Sequence, residues 1–95
     1  MAAYVIFDID VHDTDGYQEY RRLGAPTLVR YGGRFLVRGG AAENLEGEWT
    51  PKRVIVIEFD TVEQAREWYR SAEYQAAKTI RDRTARSVAI VVDGG

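Results

Sequence analysis

Residues 31–40 read YGGRFLVRGG: two glycine pairs enclose Arg34-Phe35-Leu36-Val37-Arg38, a run with an arginine at each end. Anion-binding loops place their glycines between a strand and the helix that follows it, so that backbone N–H groups and the helix N-terminus meet the phosphate. Here the order is reversed. The first pair follows a helical pattern and precedes a strand-like run, and neither Gly-Lys-Ser/Thr nor a spaced G-x-G-x-x-G occurs. The glycines therefore punctuate the two ends of a strand over 34–38, the first pair also ending a helix, because glycine takes left-handed geometry without steric cost. Two-residue alternation puts Phe35 and Val37 on one face of that strand and Arg34, Leu36 and Arg38 on the other.

The neighbouring segments fix what this strand belongs to. Residues 3–11 alternate Val5, Phe7, Ile9 and Val11 with Tyr4, Ile6, Asp8 and Asp10, a strand with one apolar and one mixed face. Asp13-Thr14-Asp15 supplies capping side chains for a helix carrying Tyr17, Tyr20, Leu23 and Leu28, and Pro26 predicts a kink or restart within it. Residues 53–59, RVIVIEF, are rich in the β-branched residues that strands favour. The connection GGAAENLEGEWTPK is long for a hairpin, and long connections in small domains carry binding or interface roles. Asp60-Thr61 begins a second helix with Val62, Ala65, Trp68 or Tyr69, and Ala72 as its apolar stripe. Ser71 caps a further helix, AEYQAAKTIRDRTA, and SVAIVV at 87–92 is the last strand.

This order, βαββαβ, predicts an α+β, ferredoxin-like fold in one domain over residues 1–95, with helices on one face of a four-stranded antiparallel or mixed sheet. With the strands numbered β1 (3–11), β2 (34–38), β3 (53–59) and β4 (87–92), we expect β1 and β3 to run parallel as neighbours, β2 to pair antiparallel with β3, and β4 to flank β1. The second sheet face then needs a cover, and a second subunit supplies one: 95 residues is near the small end of what buries its own core.

Composition limits the partners. The chain is 45% hydrophobic and 29% charged with a net charge of −2, the balance of a soluble globular protein with no long-range attraction for nucleic acid or anionic lipid. There is no cysteine, hence no disulfide, thiolate metal site or thiol nucleophile. The start MAAYVIFDIDV has no basic n-region and soon meets Asp8 and Asp10, unlike a signal peptide or membrane span. These features predict a cytoplasmic protein that uses neither cofactor nor metal.

Three groups of residues carry candidate chemistry. His12, the sole histidine, sits past the first strand beside Asp10 and Asp13; it reads as a general base or as an exposed loop residue, and no nucleophile lies near it in sequence. A β2–β3 pairing that sets Arg38 opposite Val54 sets Arg34 opposite Glu58, and a parallel β1 brings Asp8 or Asp10 to the same end. Asp8, Arg34 and Glu58 then form a charge network between packed sheets, where each charge offsets another's desolvation. With Arg38, the same group offers a planar fork for a carboxylate or enolate and Glu58 as a base. Finally, Tyr17, Tyr20, Tyr31, Trp68, Tyr69 and Tyr74 come from helices or their ends. Of these, Tyr20, Tyr31, Trp68 and Tyr74, with Arg38, are the candidate walls of a small-molecule pocket, against the simpler reading of helix-to-sheet core.

The run YGGRFLVRGG, then LEG.W.P.RVIVIEFD, A..WY.S.EYQ.A...R and the closing IVVDGG resemble, in order and spacing over nearly the whole chain, the family of unknown function numbered thirteen-thirty, within the dimeric α/β-barrel superfamily. The resemblance implies a ferredoxin-like subunit whose sheet packs on that of a second copy, among relatives that include cofactor-free monooxygenases, lactone isomerases and stress-responsive proteins. Asp60 and Ala72 stand where that pattern favours proline; both are helix starts, where either choice serves. The family supplies no established catalytic set. The expectation is a homodimer that binds a small apolar or aromatic molecule and acts on an aromatic or keto compound as a cofactor-free oxygenase or isomerase. The competing expectation is a structural protein whose barrel has no active site.

Overall fold

The computed structural model describes residues 2–95. Its elements are β1 (Ala3–Val11), α1 (Thr14–Arg30), β2 (Arg34–Arg38), β3 (Val54–Phe59), α2 (Val62–Arg70), α3 (Ala72–Thr84) and β4 (Ala85–Asp93). The α+β, ferredoxin-like architecture is as expected, with a four-stranded sheet in the order β2-β3-β1-β4.

Every pairing in that sheet is antiparallel, which corrects the expected parallel β1–β3 pair. The crossover through α1 returns the chain to lay β2 parallel to β1, and the turn into β3 reverses direction, so a strand inserted between the two opposes both. The register changes accordingly. Tyr4 stands opposite Glu58 and Asp8 opposite Val54, so Asp8 lies at the far end of the sheet from the Arg34↔Glu58 pair.

Caps set the helix starts. The Asp13 carboxylate accepts from Gly16 N, the Thr61 hydroxyl from Gln64 N and the Ser71 hydroxyl from Tyr74 N, each satisfying a first-turn donor. Pro26 does not interrupt α1, which continues to Arg30. At its end Gly32 takes φ +79°, and a Cβ on Gly33 would fall 2.8 Å from Leu28 and Phe59, so the chain turns flush against the core.

Inward alternation is strict. Ala3, Val5, Phe7 and Ile9 of β1 and Ile55, Ile57 and Phe59 of β3 are buried against Tyr17, Tyr20 and Leu28 of α1, Ala65 and Trp68 of α2, and Tyr74 and Ala77 of α3. The opposite face carries Ile6, Val54 and Val56, half-buried, beside Val37, Val88, Ile90 and Val92, exposed. This outer face is apolar along its centre and has no helix over it.

Candidate functional site

A pocket opens between the sheet and the helices, with a cavity volume of about 50 Å³. Its floor is aromatic and aliphatic: Phe7, Ile55, Ile57, Trp68 and Tyr74, with Tyr17 and Tyr20 of α1 along one wall. Trp68 lies on Tyr74 with ring centroids 4.1 Å apart, and its Nε1 donates to the Thr27 hydroxyl at 3.0 Å, which in turn donates to Gly24 O. The indole is thereby held by packing and by hydrogen bonding together.

Behind that wall runs a buried polar chain. The Tyr20 and Tyr74 hydroxyls are 2.9 Å apart, and Arg81 Nη1 donates to the Tyr74 oxygen at 2.6 Å. Arg81 is 3% exposed, and its Nε has no partner. The Arg81 guanidinium carbon lies 5.0 Å from the Phe7 ring centroid and 5.6 Å from that of Tyr20, and its nearest carboxylate is the exposed Asp82, 3.9 Å from Nη2. Burial opposes this charge, but the Tyr74 and Tyr20 hydroxyls and Asp82 outweigh it and hold the guanidinium's pKa above its ordinary value. Burial also pushes the Tyr74 hydroxyl strongly up, with Tyr20 adding to the shift. Tyr74 is therefore a hydrogen-bonding group and not a base.

Arginines gather at the mouth: Arg21 from α1, Arg38 from β2 and Arg53 just before β3. Arg38 arrives through a β-bulge. The register shifts between Phe35 and Val37, so Val37 faces Val56 and Arg38 faces Ile55, on the helix side of the sheet. Unbroken alternation had placed Arg38 on the outer face opposite Val54; the extra residue in the strand reverses its side. Its guanidinium stacks 4.1 Å from the Phe35 ring centroid. Arg53 lies 5.9 Å from the Tyr17 ring centroid. It is seated by Gly39, whose φ is +80° and where a Cβ would fall 2.7 Å from the Arg53 guanidinium carbon. Burial raises the Tyr17 pKa, Tyr20 adds to it, and Arg53 opposes the shift.

Of the residues expected to line a pocket, Tyr20, Trp68, Tyr74 and Arg38 meet here. Tyr31 does not: it borders an open groove with Glu63, Arg66, Arg70 and Ser71. Glu58 lies on the outer face, where Arg34 Nε donates to it at 2.8 Å and Arg34 Nη2 reaches Asp60 at 3.4 Å. Asp8 is not part of that group. It accepts from Trp49 Nε1 at 2.8 Å and from the backbone N–H groups of Lys52 and Arg53, and so pins the long β2–β3 connection to β1. Burial pushes the Asp8 carboxyl up, but these three hydrogen bonds, with the Lys52 charge, hold it below its ordinary pKa. His12 is exposed at the end of β1 and does not line the pocket. Among the described residues, no group of three or more His, Cys, Asp or Glu side chains could hold a metal ion, and no helix is long and apolar enough to cross a membrane.

Arg81, Arg53 and Thr27 escaped sequence reasoning. A signal for Arg81 exists: Tyr74, Ala77, Arg81 and Thr84 recur at i, i+3, i+7 and i+10, one helix face, and all four are buried. Arg53 gave none, because its place depends on the path of the long connection.

A second groove, about 520 Å³, runs along the β4 edge between Val5, Ala65, Tyr69, Ala89 and Val91, with Arg66, Arg70 and Gln75 at its rim. It is the more open of the two. The pocket beneath α1 combines enclosure with convergent donors, which is the usual form of a small-molecule site.

Solved structures share this fold. A protein of unknown function from Rhodopseudomonas palustris superposes with a TM-score of 0.77 at 20% identity, covering 96% of this chain and 80% of its own. A dimeric ferredoxin-like protein of unknown function from Thermobifida fusca gives 0.62 at 16%, covering 96% and 89%. SnoaB, a cofactor-independent oxygenase from Streptomyces nogalater, gives 0.61 at 12%, covering 99% and 92%. No curated protein matches the chain. The family model described as "Domain of unknown function (DUF1330)" matches residues 2–95, and the chain belongs to that family.

Proposed function

We propose that the protein is a homodimer that binds a small aromatic or keto compound in the pocket between its sheet and α1. The observation that carries this reading is the pocket itself: fixed aromatic walls, a mouth ringed by hydrogen-bond donors, and an orphaned Arg53 Nε. A buried, charged donor without a partner costs stability, and a ligand acceptor removes that cost. The uncovered apolar outer face supports the dimer, and the Thermobifida fusca relative of the same fold is described as dimeric.

Size restricts the ligand. A cavity of about 150 Å³ takes up a benzene, whereas the cavity here is about 50 Å³. At roughly 10–15 Å³ per water-sized group, that space holds a few non-hydrogen atoms, so a ring enters only as far as the mouth unless the walls part. The ligand is one ring or smaller.

Chemistry on that ligand is the further step of the reading: cofactor-free oxygenation or isomerisation of a compound that forms an enolate or phenolate. Cofactor independence in SnoaB, on the same fold, supports it, as do the arginine and tyrosine donors that suit a developing oxyanion. The pocket lining contains no histidine or carboxylate, so the base is sought in the ligand or solvent rather than at Glu58 or His12. Binding is tested by titrating small aromatic and keto compounds against the thermal stability of the protein; saturable stabilisation by one of them is expected. Turnover of a stabilising compound in the presence of oxygen distinguishes enzyme from binder. Absence of any stabilisation across the panel favours the purely structural barrel.

A further inference from the structure

Among the described residues seven arginines form no ion pair: Arg66, Arg70, Arg83 and Arg86, exposed on the surface, and the three that share the pocket mouth. Arg22, Arg30 and Arg34 each bond a carboxylate. Arg21, Arg38 and Arg53 form no ion pair among the described residues, although the chain carries 15 Asp and Glu against 13 Lys and Arg. They converge on one pocket whose lining contains no acidic side chain. Like charges gathered without counterions repel one another, and a cleft with low-dielectric walls focuses their field on whatever enters.

We propose that this mouth recognises the carboxylate of a small, flat monoacid, whose apolar body points towards Trp68. The inference rests on the pocket reading above and adds the charge of the ligand. Stacking explains how the forks are presented. Arg38 lies over Phe35 at 4.1 Å and Arg53 over Tyr17 at 5.9 Å. A guanidinium whose face lies over a ring can still offer its N–H edge to a carboxylate bidentately. The buried Arg53 Nε has no partner within the chain, and a carboxylate oxygen supplies one. Arg21 is held only by Gln18 Oε1 at 3.5 Å and is free to swing to the same anion. The glycine pair after β2 enters here as well: with φ +80° and Arg53 against its Cα, Gly39 admits no side chain without displacing that guanidinium.

The test compares acids with amides of the same shape. Dissociation constants are measured by NMR titration for benzoate against benzamide and pyruvate against pyruvamide, in the parent protein and in Arg38→Gln and Arg21→Gln, with inorganic phosphate as a further arm. Both substituted arginines are exposed, so these variants are expected to fold, and Arg38→Lys serves as a partial rescue. The expected result is that at least one acid binds at least tenfold more tightly than its amide. That preference falls severalfold in each glutamine variant and weakens as salt is raised, while affinity for the amide falls less than affinity for the acid. Acid and amide binding alike would overturn the carboxylate assignment and leave the pocket standing. Phosphate binding as tightly as the acids would reduce the mouth to a bare anion site and also overturn it. If none of the four organic probes perturbs the pocket, the pocket reading and this inference fall together.

Discussion

The Tyr20 and Tyr74 hydroxyls stand 2.9 Å apart, and Arg81 reaches the same Tyr74 oxygen at 2.6 Å, so one phenol joins a buried cation to the pocket wall. The two tyrosines are therefore unequal. Tyr74→Phe strands a buried guanidinium and is expected to cost about 2–3 kcal/mol, whereas Tyr20→Phe leaves the Arg81 bond in place and costs about 1 kcal/mol. Urea unfolding of both variants checks the order; equal losses would dissolve the distinction.

Alkaline pH probes the same group. Burial raises the folded-state pKa of Tyr74, and of Tyr17, above the unfolded value near 10. A raised pKa gives stability that is complete below about pH 10 and is lost as pH climbs towards the folded pKa. Unfolding free energy is expected to fall above pH 10 by up to roughly 1.4 kcal/mol per pH unit for each such tyrosine. Tyr74→Phe should flatten the slope, and an unchanged slope would contradict its burial.

Acid probes the other end of the sheet. The Asp8 pKa is lowered in the folded state, so its contribution is present above the unfolded value near 3.8 and disappears as pH falls below it. Trp49, bonded to that carboxylate at 2.8 Å and half-exposed, is the reporter. Its emission is expected to shift below pH 4 in the parent and to start shifted in Asp8→Asn. An acid response that survives in Asp8→Asn would place its origin elsewhere.

What the sequence could show depended on the range of each interaction. Alternation along β1 and β3, the caps Asp13, Thr61 and Ser71, and the glycines closing α1 are local signals, and each marks its element correctly. The position of Arg38 failed because a bulge shifts every later residue to the other face while leaving composition unchanged. Asp8 failed because its partners, Trp49, Lys52 and Arg53, lie over forty residues away on a connection without periodicity. The pocket was half-legible. Aromatic content announced its walls, but the arginine mouth required both the bulge and the loop.

The glycine pair after β2 separates backbone freedom from side-chain space. Gly39→Ala is expected to destabilise by about 1–2 kcal/mol, since the left-handed conformation disfavours a Cβ and Arg53 occupies its place. Gly40→Ala has open space and should be neutral or slightly stabilising. Thermal melts of the two variants that coincide would refute the seat assigned to Arg53.

The outer face tests the dimer. Ile6, paired with Val56 and Ile90 at the centre of that face, becomes a buried charge in Ile6→Asp if a second subunit covers it. Sedimentation at micromolar concentration should show a dimer for the parent and a weakened or unfolded species for the variant. A folded monomeric parent would contradict the account.

The most direct test of the pocket is the indole N–H region of a ¹H–¹⁵N correlation spectrum, because the chain has two tryptophans. Trp68 lines the pocket with its N–H held by Thr27, and Trp49 lies outside on the long connection. On titration with benzoate or pyruvate, the account predicts a saturable shift of the Trp68 indole signal and a stationary Trp49. A saturable shift confined to Trp49, or neither signal moving at millimolar ligand, would contradict it.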